Sequence, residues 1–174
     1  MAIFNFDKKK KRETEFVKDP LAFIRFLRED DEELVGFGQT SLLAAGDVVI
    51  DPLIGLLTNE QEEEKVRRRA GNVLSKIGTP AITPLLDTLK EQNLQSKSSS
   101  ETLGMVAAAL GGIGSQAVEP LVQTLGSEER HVRFGAAIAL VQTGDTKAID
   151  TIRNAAHNGD PKDKDMFKMV LGEK

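Results

Sequence analysis

Apolar and polar positions along this chain repeat in blocks. Ile50-Asp51-Pro52-Leu53-Ile54-Gly55-Leu56-Leu57 lines up with Ile82-Thr83-Pro84-Leu85-Leu86-Asp87-Thr88-Leu89 and with Val118-Glu119-Pro120-Leu121-Val122-Gln123-Thr124-Leu125. Weaker copies without the proline lie at 22–27 and 149–154. Gly46, Gly78, Gly114 and Gly144 recur at intervals of 32, 36 and 30 residues, which sets a unit of roughly 30 residues with variable loops. Between the copies, apolar residues fall at helical spacing, as in Val132, Ala136, Ala137, Ala139 and Leu140.

Each unit therefore reads as two helices. Proline is tolerated in a first helical turn, where its missing N–H would lack a partner anyway, and Asp51, Thr83 and Glu119 before it suit a helix start. The glycines close helices because a left-handed residue costs glycine little. Second helices are predicted over 33–45, 64–77, 99–113 and 129–143, with a last short one over 162–171. The expected fold is all-α: an α-solenoid of about five stacked helix pairs over 19–174, each pair touching mainly its neighbours.

Two stretches carry a resemblance. Val66-Arg67-Arg68-Arg69-Ala70-Gly71-Asn72-Val73-Leu74-Ser75-Lys76-Ile77-Gly78, followed by Ala81-Ile82 and Pro84-Leu85-Leu86, resembles the HEAT-like repeat of the phycobilisome-lyase (PBS lyase) type. Val132-Arg133-Phe134-Gly135-Ala136-Ala137-Ile138-Ala139-Leu140, then Gly144, resembles it again. Arg67 and Arg133 fall on the recurring arginine position, where the resemblance implies a structural role in tying adjacent pairs together. Val35 and Leu103 take that position in the other units, which must hold by packing. Repeats of this type serve as scaffolds in unrelated processes, so the fold by itself names no partner.

Composition removes much chemistry. The 174 residues include no Cys, so disulfides, zinc–thiolate sites, iron–sulfur clusters and thiol nucleophiles are excluded. The resemblance extends to bilin lyase subunits and iron hydroxylases. The hydroxylases bind metal through His-Glu pairs, whereas His131 and His157 here precede Val132 and Asn158. Gly36-Phe37-Gly38 and Gly111-Gly112-Ile113-Gly114 follow no predicted strand and bring no P-loop lysine. The acidic clusters at 30–33 and 62–64, and Asp160, Asp163 and Asp165, are expected at helix N-termini, as capping charge. No catalytic, cofactor or metal residues are assigned, and the protein is expected not to be an enzyme.

Charge is uneven. The net charge is -4, but residues 1–18 hold Lys8, Lys9, Lys10, Lys11, Arg12 and Lys18 against three acidic groups, a +3 tail on a -7 body. That tail, with Phe4 and Phe6, is expected to be mobile. The charged fraction of 29% and the lack of an uninterrupted apolar run of about 18 residues argue against a membrane span and for a cytoplasmic protein. A nucleic-acid partner would use the basic tail and the Arg67-Arg68-Arg69 run, but the acidic body lacks a basic face.

A binding site is expected on the concave side, lined by the second helices. The repeat alignment places Leu34, Gly38 and Leu42, Val66, Ala70 and Leu74, Val106 and Leu110, and Val132, Ala136 and Leu140 in the core. Gly111 and Gly135 fall on the outward side. The segment from Thr102 to Ile113 carries no charge, which argues that both its sides are covered. Phe37, Met105, Phe134, Ile138 and Val141 would otherwise form an exposed apolar patch, with Arg68 and Arg69 at its rim. Three occupants are open: tight packing between neighbouring second helices, a partner peptide or second copy of the chain as a homodimer, and the chain's own tail. The leading expectation is a non-enzymatic protein-binding scaffold; the alternatives are a nucleic-acid-binding module and a lyase-type subunit.

Overall fold

The computed structural model describes residues 19–91 and 97–173. The predicted tail, with Phe4, Phe6 and the five basic residues from Lys8 to Arg12, lies outside them. The described residues form helices and turns. A 3-10 helix, Pro20–Arg28, is followed by α1 (Glu32–Ala45), α2 (Ile50–Thr58), α3 (Glu64–Ile77), α4 (Ile82–Glu91), α5 (Lys97–Ile113), α6 (Ser115–Thr124), α7 (Arg130–Thr143), α8 (Thr146–Asn158) and α9 (Pro161–Leu171).

These elements stack as five pairs: the 3-10 helix with α1, α2 with α3, α4 with α5, α6 with α7, and α8 with α9. The second members α1, α3, α5, α7 and α9 form one layer and the first members the other. Contacts along the second-helix layer, above all α3 with α5 and α5 with α7, are far more extensive than those along the first-helix layer. The stack thus curves toward the second helices, and the fold is an all-α, HEAT-like solenoid.

Local signals explain most boundaries. Asp19 caps the 3-10 helix by accepting from the Leu21 N–H at 2.9 Å, with Pro20 in the first turn. Asp31 caps α1 through the Glu33 and Leu34 amides, and Asp160 caps α9 through the Lys162 amide. The pair-closing glycines depart from the expected left-handed helical cap in an informative way. Gly144 adopts it (φ 70°, ψ 6°), but Gly46 and Gly78 combine φ of 68° and 82° with ψ of -138° and -134°. Gly114, with φ 81° and ψ -142°, joins them; that region excludes side chains more strongly still, so these three turns demand glycine.

Pro52 and Pro84 lie at the third positions of α2 and α4, after short 3-10 turns at Gly46–Val49 and Thr79–Ala81. In the next unit the turn is fully helical. α6 starts at Ser115 and Pro120 sits inside it, not in its first turn as the repeat suggests. The equivalent hydroxyls behave alike: Thr88 Oγ1 donates to the Pro84 carbonyl and Thr124 Oγ1 to the Pro120 carbonyl, both at 2.8 Å.

Leucines from both layers fill the core, among them Leu27, Leu42, Leu57, Leu74, Leu89, Leu110 and Leu140, each fully buried. Burying each such side chain stabilises by about 1.5–3 kcal/mol. In the first unit Gly38 and Leu42 are buried as the alignment expects, whereas Leu34 is only half-buried and Val35, at the arginine position, is buried. The 27 residues Glu32–Thr58 are apolar enough, by length and composition, to cross a membrane, contrary to the sequence expectation. Here they turn at Gly46 and their apolar side chains Val35, Leu42, Leu53 and Leu57 join the core.

Two glycines expected on the outward side are buried. A Cβ on Gly111 would stand 2.6 Å from Gln142 Cβ and 2.8 Å from the Ala139 carbonyl oxygen of α7, and one on Gly135 would collide with Leu89. The lack of charge on α5 from Thr102 to Ile113 thus follows from its place between α3 and α7: Leu103, Val106, Ala107, Ala109, Leu110 and Gly111 are all covered by the chain itself.

Candidate functional site

The arginines of α3 part company according to their direction on the helix. Arg67 is only 4% exposed. Its Nε donates to the Leu57 carbonyl at 2.8 Å, at the end of α2, and its Nη2 to Thr102 Oγ1 of α5 at 2.6 Å. Arg69 points to the first unit, where Nη1 donates to the Leu27 and Glu29 carbonyls at 3.0 and 2.8 Å and Nη2 pairs with Glu32 at 2.8 Å. Arg68 is exposed and ion-paired to Glu64 one turn earlier. The Arg67-Arg68-Arg69 run therefore offers one exposed cation, and no basic face of three.

In α7, Arg133 makes a bidentate pair with Asp163 of α9, at 2.7 and 2.9 Å, while its Nη1 donates to the Ser127 and Glu128 carbonyls. Asp163 is only 5% exposed. It is a buried ion-pair partner and not the capping charge expected from its place near the start of α9. The bidentate pair with Arg133 compensates the desolvation cost of holding this carboxylate inside the protein.

Phe37, expected on the binding face, packs edge-on against Phe23 and Phe26, with ring centroids 5.6 and 5.8 Å apart. This aromatic cluster closes the N-terminal pair, and Gly38 fits beneath it because a Cβ there would lie 2.5 Å from Phe26 Cβ. Phe37 and Arg69 are thus engaged in joining the first unit. Met105, Phe134, Ile138 and Val141 are half-buried and packed on the core, which replaces the expected broad exposed patch by separate grooves.

Two grooves open near these residues. One, of about 570 Å³, runs between α3 and α5; Arg67, Arg68 and Asn72 form one wall, Gly104, Met105 and Ala108 the other. The second, of about 540 Å³, lies between α7 and α9, where Phe134 meets Met166 and Met169 under Arg130, His131 and Asp165. Met169 is 63% exposed, the most exposed large apolar side chain among the described residues. The structure thus brings Arg68 and Met105 together, places Phe134 in a different groove, and leaves Ile138 and Val141 outside both linings. Sequence reasoning missed the α9 methionines. Their spacing of three residues on a helix was the available signal.

Residues 91–166 match the family model for HEAT repeats. The matched stretch holds α5 to α8 and the start of α9, including Arg133 and Asp163. No curated protein matches the sequence. In the matched stretch the helix pairs continue the same two-layer stacking as α1 to α4, so one architecture covers the described residues. Among those residues no group of three His, Cys, Asp or Glu side chains could hold a metal ion. His131 Nε2 lies 3.2 Å from Glu129, and His157 Nδ1 is 2.8 Å from the Arg153 carbonyl of its own helix.

The joint between the first unit and α3 is unusually polar. Besides Arg69, Arg28 pairs with Glu62, and Lys65 pairs with Asp30 at 2.7 Å and with Glu63 at 3.1 Å. The hydrogen bond from Lys65, aided by its charge, holds the Asp30 carboxyl below its ordinary value; the same contact raises Lys65. A lowered folded-state value means that this contribution is present above the unfolded value of about 4 and lost as the pH falls through the folded one. Asp30→Asn should therefore be slightly less stable than wild type at pH 7, with the gap narrowing as the pH falls below the ordinary carboxylate range. Urea titrations at pH 7 and at a series of acidic pH values check this, and a gap that stays constant as the pH falls would contradict it.

Proposed function

We propose that this protein is a non-enzymatic HEAT-like scaffold that binds a protein or peptide partner along its second-helix face. The observation that carries the reading is the open α3–α5 groove, whose floor of Gly104 and Ala108 admits a close-packed chain beside Met105 and a charged rim. A Cβ on Gly104 would meet nothing within 4 Å, so this floor is open space and not an internal helix contact. Grooves that combine an apolar wall with a polar rim are how helices and extended peptides are commonly recognised. HEAT repeats commonly mediate protein interactions. Affiliation with the phycobilisome-lyase subset and a cytoplasmic setting belong to the same proposal, and rest on the repeat pattern and composition.

Ala108 is exposed, so Ala108→Arg should fill the groove without disturbing the core. The expected result is an unchanged melting curve with loss of the partners recovered by affinity purification and mass spectrometry, or loss of a dimer seen by light scattering. Unchanged partners and unchanged mass would reject the groove as the binding site.

A further inference from the structure

The repeat supplies an internal comparison at its arginine position. In both α3 and α7 the arginine reaches the next second helix. Arg133 meets the carboxylate of Asp163, which takes two of its N–H donors. Arg67 meets Thr102, a neutral hydroxyl, and among the described residues it has no carboxylate within ion-pairing distance. A guanidinium as buried as Arg67 is costly unless its charge is compensated. The Leu57 carbonyl at the end of α2 supplies only the partial negative charge of a helix C-terminus.

One nitrogen remains. Arg67 Nε and Nη2 have acceptors, whereas Nη1 makes no hydrogen bond among the described residues. It is not sealed in the core either, since no buried side-chain nitrogen there lacks a partner. Arg67 is among the residues that line the α3–α5 groove, the cavity next to this side chain. In the same groove lining, the exposed Asn72 offers a second donor, and the bare backbone at Gly104 leaves room for an approaching chain.

Accepting the groove as the binding site, we infer that it recognises a single carboxylate, an Asp or Glu side chain on the partner peptide, seated on Arg67 Nη1. The incoming group supplies from outside what Asp163 supplies to Arg133 from within. A charge-assisted N–H···O bond to a guanidinium that lacks a carboxylate partner is among the stronger polar contacts a peptide can make. The rim limits how much negative charge fits. Glu64, paired with Arg68, and Glu101 both line the groove. Two carboxylates against two guanidiniums make the lining neutral overall, which gives no attraction to an acidic run or a nucleic-acid backbone and leaves the local donor at Arg67 as the one feature that favours a carboxylate.

The test uses full-length protein and a phage-displayed library of random 12-residue peptides, followed by synthetic copies of the selected peptides. Three proteins are compared: wild type, Gly104→Leu, which fills the groove from a position that tolerates a side chain, and Arg67→Met. Selected peptides should lose binding to Gly104→Leu and share one Asp or Glu. Changing that residue to Asn or Gln should weaken binding to wild type at least tenfold and to Arg67→Met less than twofold. Should Arg67→Met fail to fold, the wild-type comparison of acid and amide peptides decides alone. Peptides that depend on the groove but show no acid preference would overturn the carboxylate and leave the groove standing. Peptides indifferent to Gly104→Leu, or none at all, would remove the groove and the carboxylate with it.

Discussion

Asp163→Ala should destabilise the protein by about 3 kcal/mol, or roughly 6–12 °C in Tm for a chain of this size. Asp163 is 5% exposed and gives both its oxygens to Arg133, whose side chain is itself largely buried. Removing it leaves a buried cation held only by the Ser127 and Glu128 carbonyls. Breaking one side of a buried pair costs more than removing both, because the remaining charge keeps its desolvation penalty. The double variant Arg133→Met with Asp163→Leu should accordingly recover most of the loss. Chemical denaturation of both variants checks the pair. A loss below about 1 kcal/mol for Asp163→Ala would mean that Arg133 is rehydrated through the adjoining surface cleft that both residues line.

A valine at Gly111 should cost about 3 kcal/mol, while an alanine at Gly104, seven residues earlier on the same helix, should gain about 0.5–1 kcal/mol. The first Cβ would press on the Ala139 carbonyl oxygen at 2.8 Å and on Gln142 Cβ at 2.6 Å, and helix backbone does not yield as a flexible side-chain tip does. The second would enter open groove, so only the helix preference of alanine over glycine remains. Urea denaturation of the two variants should therefore move in opposite directions. Equal losses would mean that glycine is needed at both sites for backbone reasons alone.

The legibility of this chain was uneven for physical reasons. Repeat period, helix pairs and pair-closing glycines follow from local rules, so Gly46, Gly78, Gly114 and Gly144 announce themselves, each at positive φ. Which helix face meets a neighbour is a long-range property. Gly111 and Gly135 look outward in the alignment because glycine has no hydropathy signal, yet the missing side chain of Gly111 lets α5 approach α7, and that of Gly135 lets α7 approach Leu89 of α4. Phe37 reads as a binding residue in isolation; only the fold reveals Phe23 and Phe26 against it. Arg68 and Arg69 are adjacent in sequence but 100° apart around a helix, enough to send one to solvent and the other to the carbonyls of the preceding unit. Asp163 carried a helix-start signal that was real in position and misleading in role, since Asp160 performs the capping.

The unequal contact between the two helix layers has a mechanical consequence. When a stack bends, the surface that keeps its length lies where resistance is greatest, here within α3, α5 and α7. The sparsely joined first helices α2, α4, α6 and α8 must take up the deformation by spreading apart or closing. Elastic flexing of the chain then changes the spacing of its outer layer while leaving Arg67, Thr102 and Met105 nearly fixed relative to one another. A ligand held there would experience a rigid seat on a compliant spring.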